Sequence, residues 1–179
     1  MRLTKNLAAG AVALAALVTL TGCGGSEDGG DAAADGGLSG LPKAETMVDV
    51  QKAVQERGED CSPLESSREG HTYMKAEAED PAWGIKERAV CFDRGGSSVT
   101  VLLIADMTKF QESLAKGGGS FTIGQNFALA GESEGFGANL NQAGLLTLSC
   151  NQGKRDGVPS GYEIHDSQVK GCFTTNYNA

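Results

Sequence analysis

The chain has 179 residues, of which 15 are Lys or Arg and 23 are Asp or Glu, so its formal net charge is −8. An acidic surface repels the phosphates of nucleic acid, and the sequence has no basic stripe or cluster that offsets this sign locally. Nucleic acid is therefore excluded as a predicted partner. Glycine contributes 26 residues, about twice the share in an average protein, which indicates that part of the chain is linker.

The N-terminal segment has the pattern of a secretory signal. Arg2 and Lys5 form a positively charged start, and an apolar run rich in Ala, Val and Leu extends from Leu7 to Leu20. A helix that crosses a bilayer needs roughly 20 apolar residues, and this run is shorter. The pattern therefore predicts a cleaved signal rather than a permanent anchor helix.

Leu20, Thr21, Gly22 and Cys23 resemble the lipobox of bacterial lipoproteins. The resemblance implies that the thiol of Cys23 receives a diacylglyceryl group and that residues 1–22 are removed as the signal peptide. Two acyl chains anchor a protein stably where one chain does not. The implied location is the extracytoplasmic face of the cell membrane; an ordinary secreted protein with a chance cysteine is the alternative.

Residues 24–40 have no aromatic residue, no β-branched residue and a single Leu. Such a composition buries too little apolar surface to offset the entropy of ordering the chain. Residues 23–40 are therefore predicted to be a flexible tether that starts at the lipidated cysteine. The Gly-rich, Ala-rich, acidic composition resembles that of lipoproteins from high-GC Gram-positive bacteria.

The remaining residues, 41–179, are enough for one domain with a proper core. Its cysteines are Cys61, Cys91, Cys150 and Cys172. An even number in an exported domain favours two disulfides, and among the three connectivities the pairing of sequence neighbours encloses the shorter loops. A zinc site is the weaker alternative, because no C-x-x-C pair is present and the two histidines are far apart in sequence. No metal and no cofactor is predicted.

Hydrophobic periodicity predicts the elements of the first half of this domain. Apolar residues at helical spacing predict a helix over Pro42–Arg57, and a strand is predicted around Thr72–Ala76. Ile85–Phe92 and Ser98–Ile104 flank a turn sequence and predict a β-hairpin. A second helix is predicted to be capped by Asp106 and to end at Gly117.

The second half is predicted to be mostly extended. Strands are expected at Phe121–Ala130, at Gly144–Cys150 and around Gly171–Asn176, with a Gly-rich loop over Gly131–Gln142. The order of elements is that of a duplicated helix–hairpin unit. The predicted fold class is α+β, a two-layer sandwich with two helices on one face of an antiparallel sheet.

Residues 131–135 spell G-x-S-x-G, the pattern around the nucleophile of α/β-hydrolases, with Ser133 at its centre and His165 as a candidate base. The residues after Ser133 are poor helix starters, and the flanking Glu132 and Glu134 oppose a developing oxyanion. The pattern therefore favours an acidic loop, and no catalytic residue is predicted. His71 and His165 both lie in polar segments and are predicted to be solvated.

Tyr73, Trp83 and Tyr162 are the candidate binding residues, since these aromatic side chains bury a large area and each keeps a polar group. A plain core role is the alternative for Trp83. The predicted function is a non-enzymatic, membrane-anchored module that binds an envelope protein, a cell-wall component or a small ligand. A small envelope hydrolase that uses Ser133 and His165 is the alternative, and the oligomeric state stays open.

Overall fold

The computed structural model describes residues 37–133 and 135–178. The predicted signal peptide, the lipidation site Cys23 and the greater part of the predicted tether lie outside the described residues. The last part of that tether belongs to the folded domain, because Leu38 is buried among core residues. Leu38 is the one large apolar side chain of residues 24–40.

Five α-helices and seven strands are present in the described part of the chain. The helices are α1 (Met47–Gln55), α2 (Lys75–Glu79), α3 (Met107–Gly117), α4 (Phe136–Gln142) and α5 (Gln152–Asp156), with a 3-10 turn at Pro81–Trp83. The strands are β1 (Ile85–Phe92), β2 (Ser98–Ile104), β3 (Ser120–Ile123), β4 (Phe127–Gly131), β5 (Leu146–Ser149), β6 (Ile164–Asp166) and β7 (Phe173–Thr175). All strands pair antiparallel in one sheet, in the order β1-β2-β4-β3-β5-β7-β6. The predicted mixture of helices and antiparallel sheet is confirmed.

Local signals placed the hairpin and the longest helix correctly. β1 and β2 pair from Phe92 opposite Ser98 at the turn to Ile85 opposite Ile104. Asp106 caps α3, and its carboxylate accepts a hydrogen bond from the backbone N–H of Lys109 at 3.1 Å. These elements form as predicted because turn, cap and periodicity all specify the same structure.

Helix α1 starts five residues later than predicted, at Met47 rather than Pro42. Thr46 and Asp49 form a capping box in which each side chain accepts a hydrogen bond from the backbone N–H of the other. The reciprocal bonds fix the start of the helix, so Pro42 lies in the irregular segment that precedes it.

Two predicted elements have a different structure. The strand predicted over Thr72–Ala76 is replaced by a turn and helix α2. The single strand predicted over Phe121–Ala130 is two strands, β3 and β4, that fold back on each other. Asn126 lies at this turn. Its side-chain oxygen accepts a hydrogen bond from the backbone N–H of Ala44 at 2.9 Å, and its side-chain nitrogen donates one to the carbonyl of Ala44 at 2.6 Å. Local propensity does not reveal this long-range contact.

The predicted Gly-rich loop contains helix α4. Phe136 and Leu140 lie one turn apart and are 3% and 0% exposed, so packing onto the core outweighs the poor helix propensity of the sequence. The polar stretch after Cys150 likewise forms a short helix, α5, capped by the side chain of Asn151.

The two-layer sandwich with both helices on one face is not confirmed. Val99, Val101 and Leu103 of β2 share a core cluster with α1 and α4. Leu102 and Ile104 of the same strand share a second cluster with α3. Successive strand residues point to opposite faces, so α1 and α3 pack on opposite sides of this strand. All seven residues of β2 are buried, which is the pattern of a strand covered on both faces.

Both disulfides are present, with the predicted pairing. Cys61 is joined to Cys91, which links the segment after α1 to β1. Cys150 is joined to Cys172, which links the end of β5 to the start of β7. Within residues 37–133 and 135–178, no helix combines the length and the apolar character needed to cross a membrane.

Candidate functional site

The sheet opens between its two central strands. β3 and β4 share two residue pairs, and the outer of these is Thr122 with Leu129. By contrast β4 pairs with β2 as far as Gly131, and β3 pairs with β5 from Ser120 onward. Beyond the outer pair, the two strands therefore diverge while each continues along its other neighbour.

The divergence creates a cavity of about 380 Å³, which we call the β3–β4 cleft. The volume lies near the lower end of the roughly 300–1,000 Å³ typical of ligand pockets. Its polar lining is mostly hydroxyl groups, which come from Thr100, Ser120, Thr122, Ser133 and Thr147.

Three of these hydroxyls have no hydrogen-bond partner among the described residues. Thr100 and Thr122 are each only 6% exposed, and neither hydroxyl forms a hydrogen bond within the described part of the chain. The Oγ of Ser120 is buried and also unpartnered. A buried polar group without a partner costs about 1–3 kcal/mol, which applies to the Ser120 hydroxyl. All three hydroxyls are free to form a hydrogen bond with a bound molecule.

Helix α4 forms one wall of the cleft. Asn141 donates a hydrogen bond to Thr147 Oγ1 at 2.7 Å, which leaves the hydroxyl proton of Thr147 available. Gly137 lets the helix come close, since a Cβ at this position would lie 2.3 Å from Asn178 Nδ2 and 3.0 Å from Thr122 Oγ1. A larger residue at position 137 would therefore push into the cleft lining.

Tyr73 supplies the aromatic side of the cleft. Its side chain is 51% exposed, and its ring stacks on Phe121 with centroids 6.2 Å apart and planes at 19°. Arg88 holds the backbone here by donating to the carbonyls of Tyr73 and His71, each at 2.8 Å. Partial burial, with a smaller effect from Glu77, raises the pKa of Tyr73, so its hydroxyl remains protonated and can donate at neutral pH.

Ser133 lies at the rim of the cleft and is bonded to a carboxylate. Its Oγ donates to Asp93 Oδ2 at 2.5 Å, and Asp93 also accepts from the backbone N–H of Ser97 at 2.8 Å. These bonds, that of Ser133 first, lower the pKa of Asp93. Ser133 therefore ties the segment after β4 to the β1–β2 turn.

The structure does not bring Ser133 and His165 together. Ser133 follows β4, His165 lies on β6 at the edge of the sheet, and β3, β5 and β7 lie between them. Four strand spacings of roughly 4.8 Å put about 19 Å between the two strands. His165 Nε2 lies 3.4 Å from Glu163 Oε2, and the Ser133 hydroxyl has a carboxylate partner, so the pair does not have the geometry of a nucleophile and its base.

The three predicted aromatic binding residues lie in different places. Tyr73 lines the β3–β4 cleft. Trp83 is half-buried against Phe110 of α3, with ring centroids 6.1 Å apart, which is the core role given as its alternative. Tyr162 packs against Tyr177, with ring centroids 4.8 Å apart, and does not line the cleft. Of the G-x-S-x-G stretch, Glu132 and Ser133 do line it, and Glu134 lies outside the described residues.

His71, predicted to be solvated, is half-buried. Its Nδ1 lies 2.9 Å from Ser98 Oγ, and its ring meets the edge of Phe92 at a centroid distance of 5.9 Å. The cleft threonines were also missed by the sequence analysis, because threonine in a strand is explained by β propensity alone.

Comparison of the chain with protein-family models, with curated proteins and with solved structures finds no match. In residues 37–133 and 135–178, no three His, Cys, Asp or Glu side chains are grouped so as to hold a metal ion.

Proposed function

We propose that the chain is a lipid-anchored domain of the extracytoplasmic membrane face that binds an uncharged polar ligand in the β3–β4 cleft. The observation that carries the proposal is the set of unpartnered hydroxyls of Thr100, Ser120 and Thr122 in one cavity of about 380 Å³. Polar groups that converge on a cavity and lack protein partners are the mark of a binding site.

The charges around the cleft support an uncharged ligand. Among the described residues that line it, Glu132 is the one with a charged side chain. Asp93 lies directly behind Ser133 and is held ionised by its hydrogen bonds. A ligand with carboxylate or phosphate groups would therefore meet repulsion and no compensating cation.

The membrane location is supported by the N-terminal sequence, which resembles a lipoprotein signal that ends at Cys23. Intact mass of the membrane-extracted protein tests this part. We expect the mass of residues 23–179 plus acyl chains, and a release of the protein from membranes in the Cys23→Ala variant. An unacylated mass with unchanged membrane association would contradict the proposed anchor.

Binding at the cleft is tested by hydrogen–deuterium exchange of the mature protein, in detergent, with and without a desalted cell-envelope extract. We expect slower exchange in β3, in β4 and around Tyr73, and loss of this protection in Thr100→Val. Tyr162→Ala is the matched control, because it removes an exposed tyrosine outside the cleft. Protection that is absent, or that persists unchanged in Thr100→Val, would reject the cleft as the binding site.

A further inference from the structure

We infer that the ligand of the β3–β4 cleft is an electrically neutral glycan, which contributes a sugar ring to the cavity and packs that ring against Tyr73. This inference rests on the proposed function and names the ligand class of the same site. Three features of the cleft support it: the kind of polar groups, the aromatic wall and the charge.

The polar groups of the cleft match sugar hydroxyls in their bonding capacity. A hydroxyl donates one hydrogen bond and accepts two, and its proton rotates to suit the partner. Thr100, Ser120 and Thr122 supply three such free groups, and the amide of Asn178 adds two donors and an acceptor. A sugar presents several adjacent hydroxyls, each of which is both donor and acceptor, so it matches these groups in both roles.

The aromatic wall suits the apolar face of a sugar ring. Tyr73 is 51% exposed, and its stacking on Phe121 sets the plane of its ring before any ligand arrives. A rigid aromatic surface binds at a small cost in side-chain entropy. The Tyr73 hydroxyl, protonated at neutral pH because its pKa is raised, adds a donor at the same wall.

The charge selects against acidic sugars. Glu132 places an acidic side chain at the rim, and no lysine, arginine or histidine is among the described residues that line the cleft. Uronic acids and phosphorylated sugars would be repelled, whereas neutral hexoses and N-acetylated hexosamines would not.

A peptide in extended conformation is the competing ligand, because β3 and β4 end their mutual pairing at Thr122 and Leu129. Such a peptide would bind through backbone groups along a strand edge. Beside these strand edges, the cleft presents the free side-chain hydroxyls of Thr100, Ser120 and Thr122, which favours a ligand that carries several hydroxyls of its own.

The test is calorimetric titration of the mature protein in detergent with four probes: cellotriose, triacetylchitotriose, trigalacturonate and penta-alanine. We expect one or both neutral trisaccharides to bind and the other two probes not to bind. Tyr73→Ala and Thr100→Val should each weaken the interaction by about tenfold, the ratio that corresponds to about 1.4 kcal/mol. Tyr73→Phe should retain most of the affinity, and Tyr162→Ala all of it.

Several results would overturn the inference. The first is that neither neutral trisaccharide binds. The second is that penta-alanine or trigalacturonate binds more tightly than the neutral trisaccharides. The third is that the affinity for these trisaccharides is unchanged in both Tyr73→Ala and Thr100→Val. Exchange protection of β3 and β4 by the envelope extract distinguishes failure of the glycan inference from failure of the proposed binding function. If that protection persists while the neutral trisaccharides fail, the glycan inference is rejected and the cleft remains a binding site; if the protection is absent, both are rejected.

Discussion

Replacing Ser133 by alanine separates a structural role from a catalytic one. The hydroxyl donates to Asp93, whose side chain is only 8% exposed, so solvent screens the interaction little. A hydrogen bond to a charged group contributes about 1.5–3 kcal/mol to stability. In Ser133→Ala, Asp93 still accepts the hydrogen bond from the backbone N–H of Ser97 at 2.8 Å, so the carboxylate is not left without a partner. We therefore expect Ser133→Ala to lower the free energy of unfolding by about 2 kcal/mol at pH 7.

The effect should depend on pH in a defined direction. The pKa of Asp93 is lowered in the folded protein, chiefly by Ser133, so its carboxylate stabilises the fold above the unfolded pKa of about 3.9. This contribution is lost as the pH falls through the folded pKa. The difference between wild type and Ser133→Ala should therefore be largest at neutral pH and should shrink below about pH 4.

Urea unfolding followed by circular dichroism, at pH 7 and at pH 2.5, measures both quantities. Ser97→Ala is the matched control, since Ser97 contributes its backbone N–H and not its side chain, and should change stability by less than about 0.5 kcal/mol. An equal loss at both pH values would refute the argument. An ester-hydrolysing activity that disappears in Ser133→Ala without a loss of stability would show that Ser133 is a nucleophile.

Three further changes have expected outcomes. Cys150→Ala combined with Cys172→Ala opens a loop with a sequence separation of 22, and chain entropy predicts a loss of about 3.4 kcal/mol in urea unfolding; a loss below about 1 kcal/mol would contradict that account. Gly137→Leu should abolish the extract-dependent exchange protection while unfolding remains cooperative, because the side chain enters the cleft lining; retained protection would be the contrary result. Thr46→Ala breaks the capping box and should cost about 1 kcal/mol in urea unfolding, with no effect on the cleft; an unchanged stability would mean that the cap is not needed.

The parts of the fold that the sequence predicted are those in which one short segment carries its own signal. Asp106 caps α3 and a turn sequence joins β1 to β2, so both elements could be located from neighbouring residues alone. The disulfide pairing followed from loop lengths. Helix α4 could not be located in this way, because Phe136 and Leu140 are helical through packing on the core.

The cleft could not be predicted for a similar reason. Tyr73 was recognised as a candidate from its chemistry, but Thr100 lies on β2 and Ser120 and Thr122 lie on β3, so these residues meet only through the sheet order. Their side chains alternate along strands whose pairing is set by long-range contacts such as that of Asn126 with Ala44. Periodicity identifies a strand, but it does not identify the neighbouring strand.

The position of the disulfides bears on how the cleft can respond to a ligand. The opening divides the sheet into a β1-β2-β4 part and a β3-β5-β7-β6 part. Cys61–Cys91 lies in the first part and Cys150–Cys172 in the second, so neither covalent bond crosses the cleft. Across the opening, the two strands are joined by two residue pairs and by the helices packed on either face. Each part is therefore cross-linked internally, whereas no disulfide fixes the width of the cleft, which is set by the turn between β3 and β4 and by non-covalent contacts.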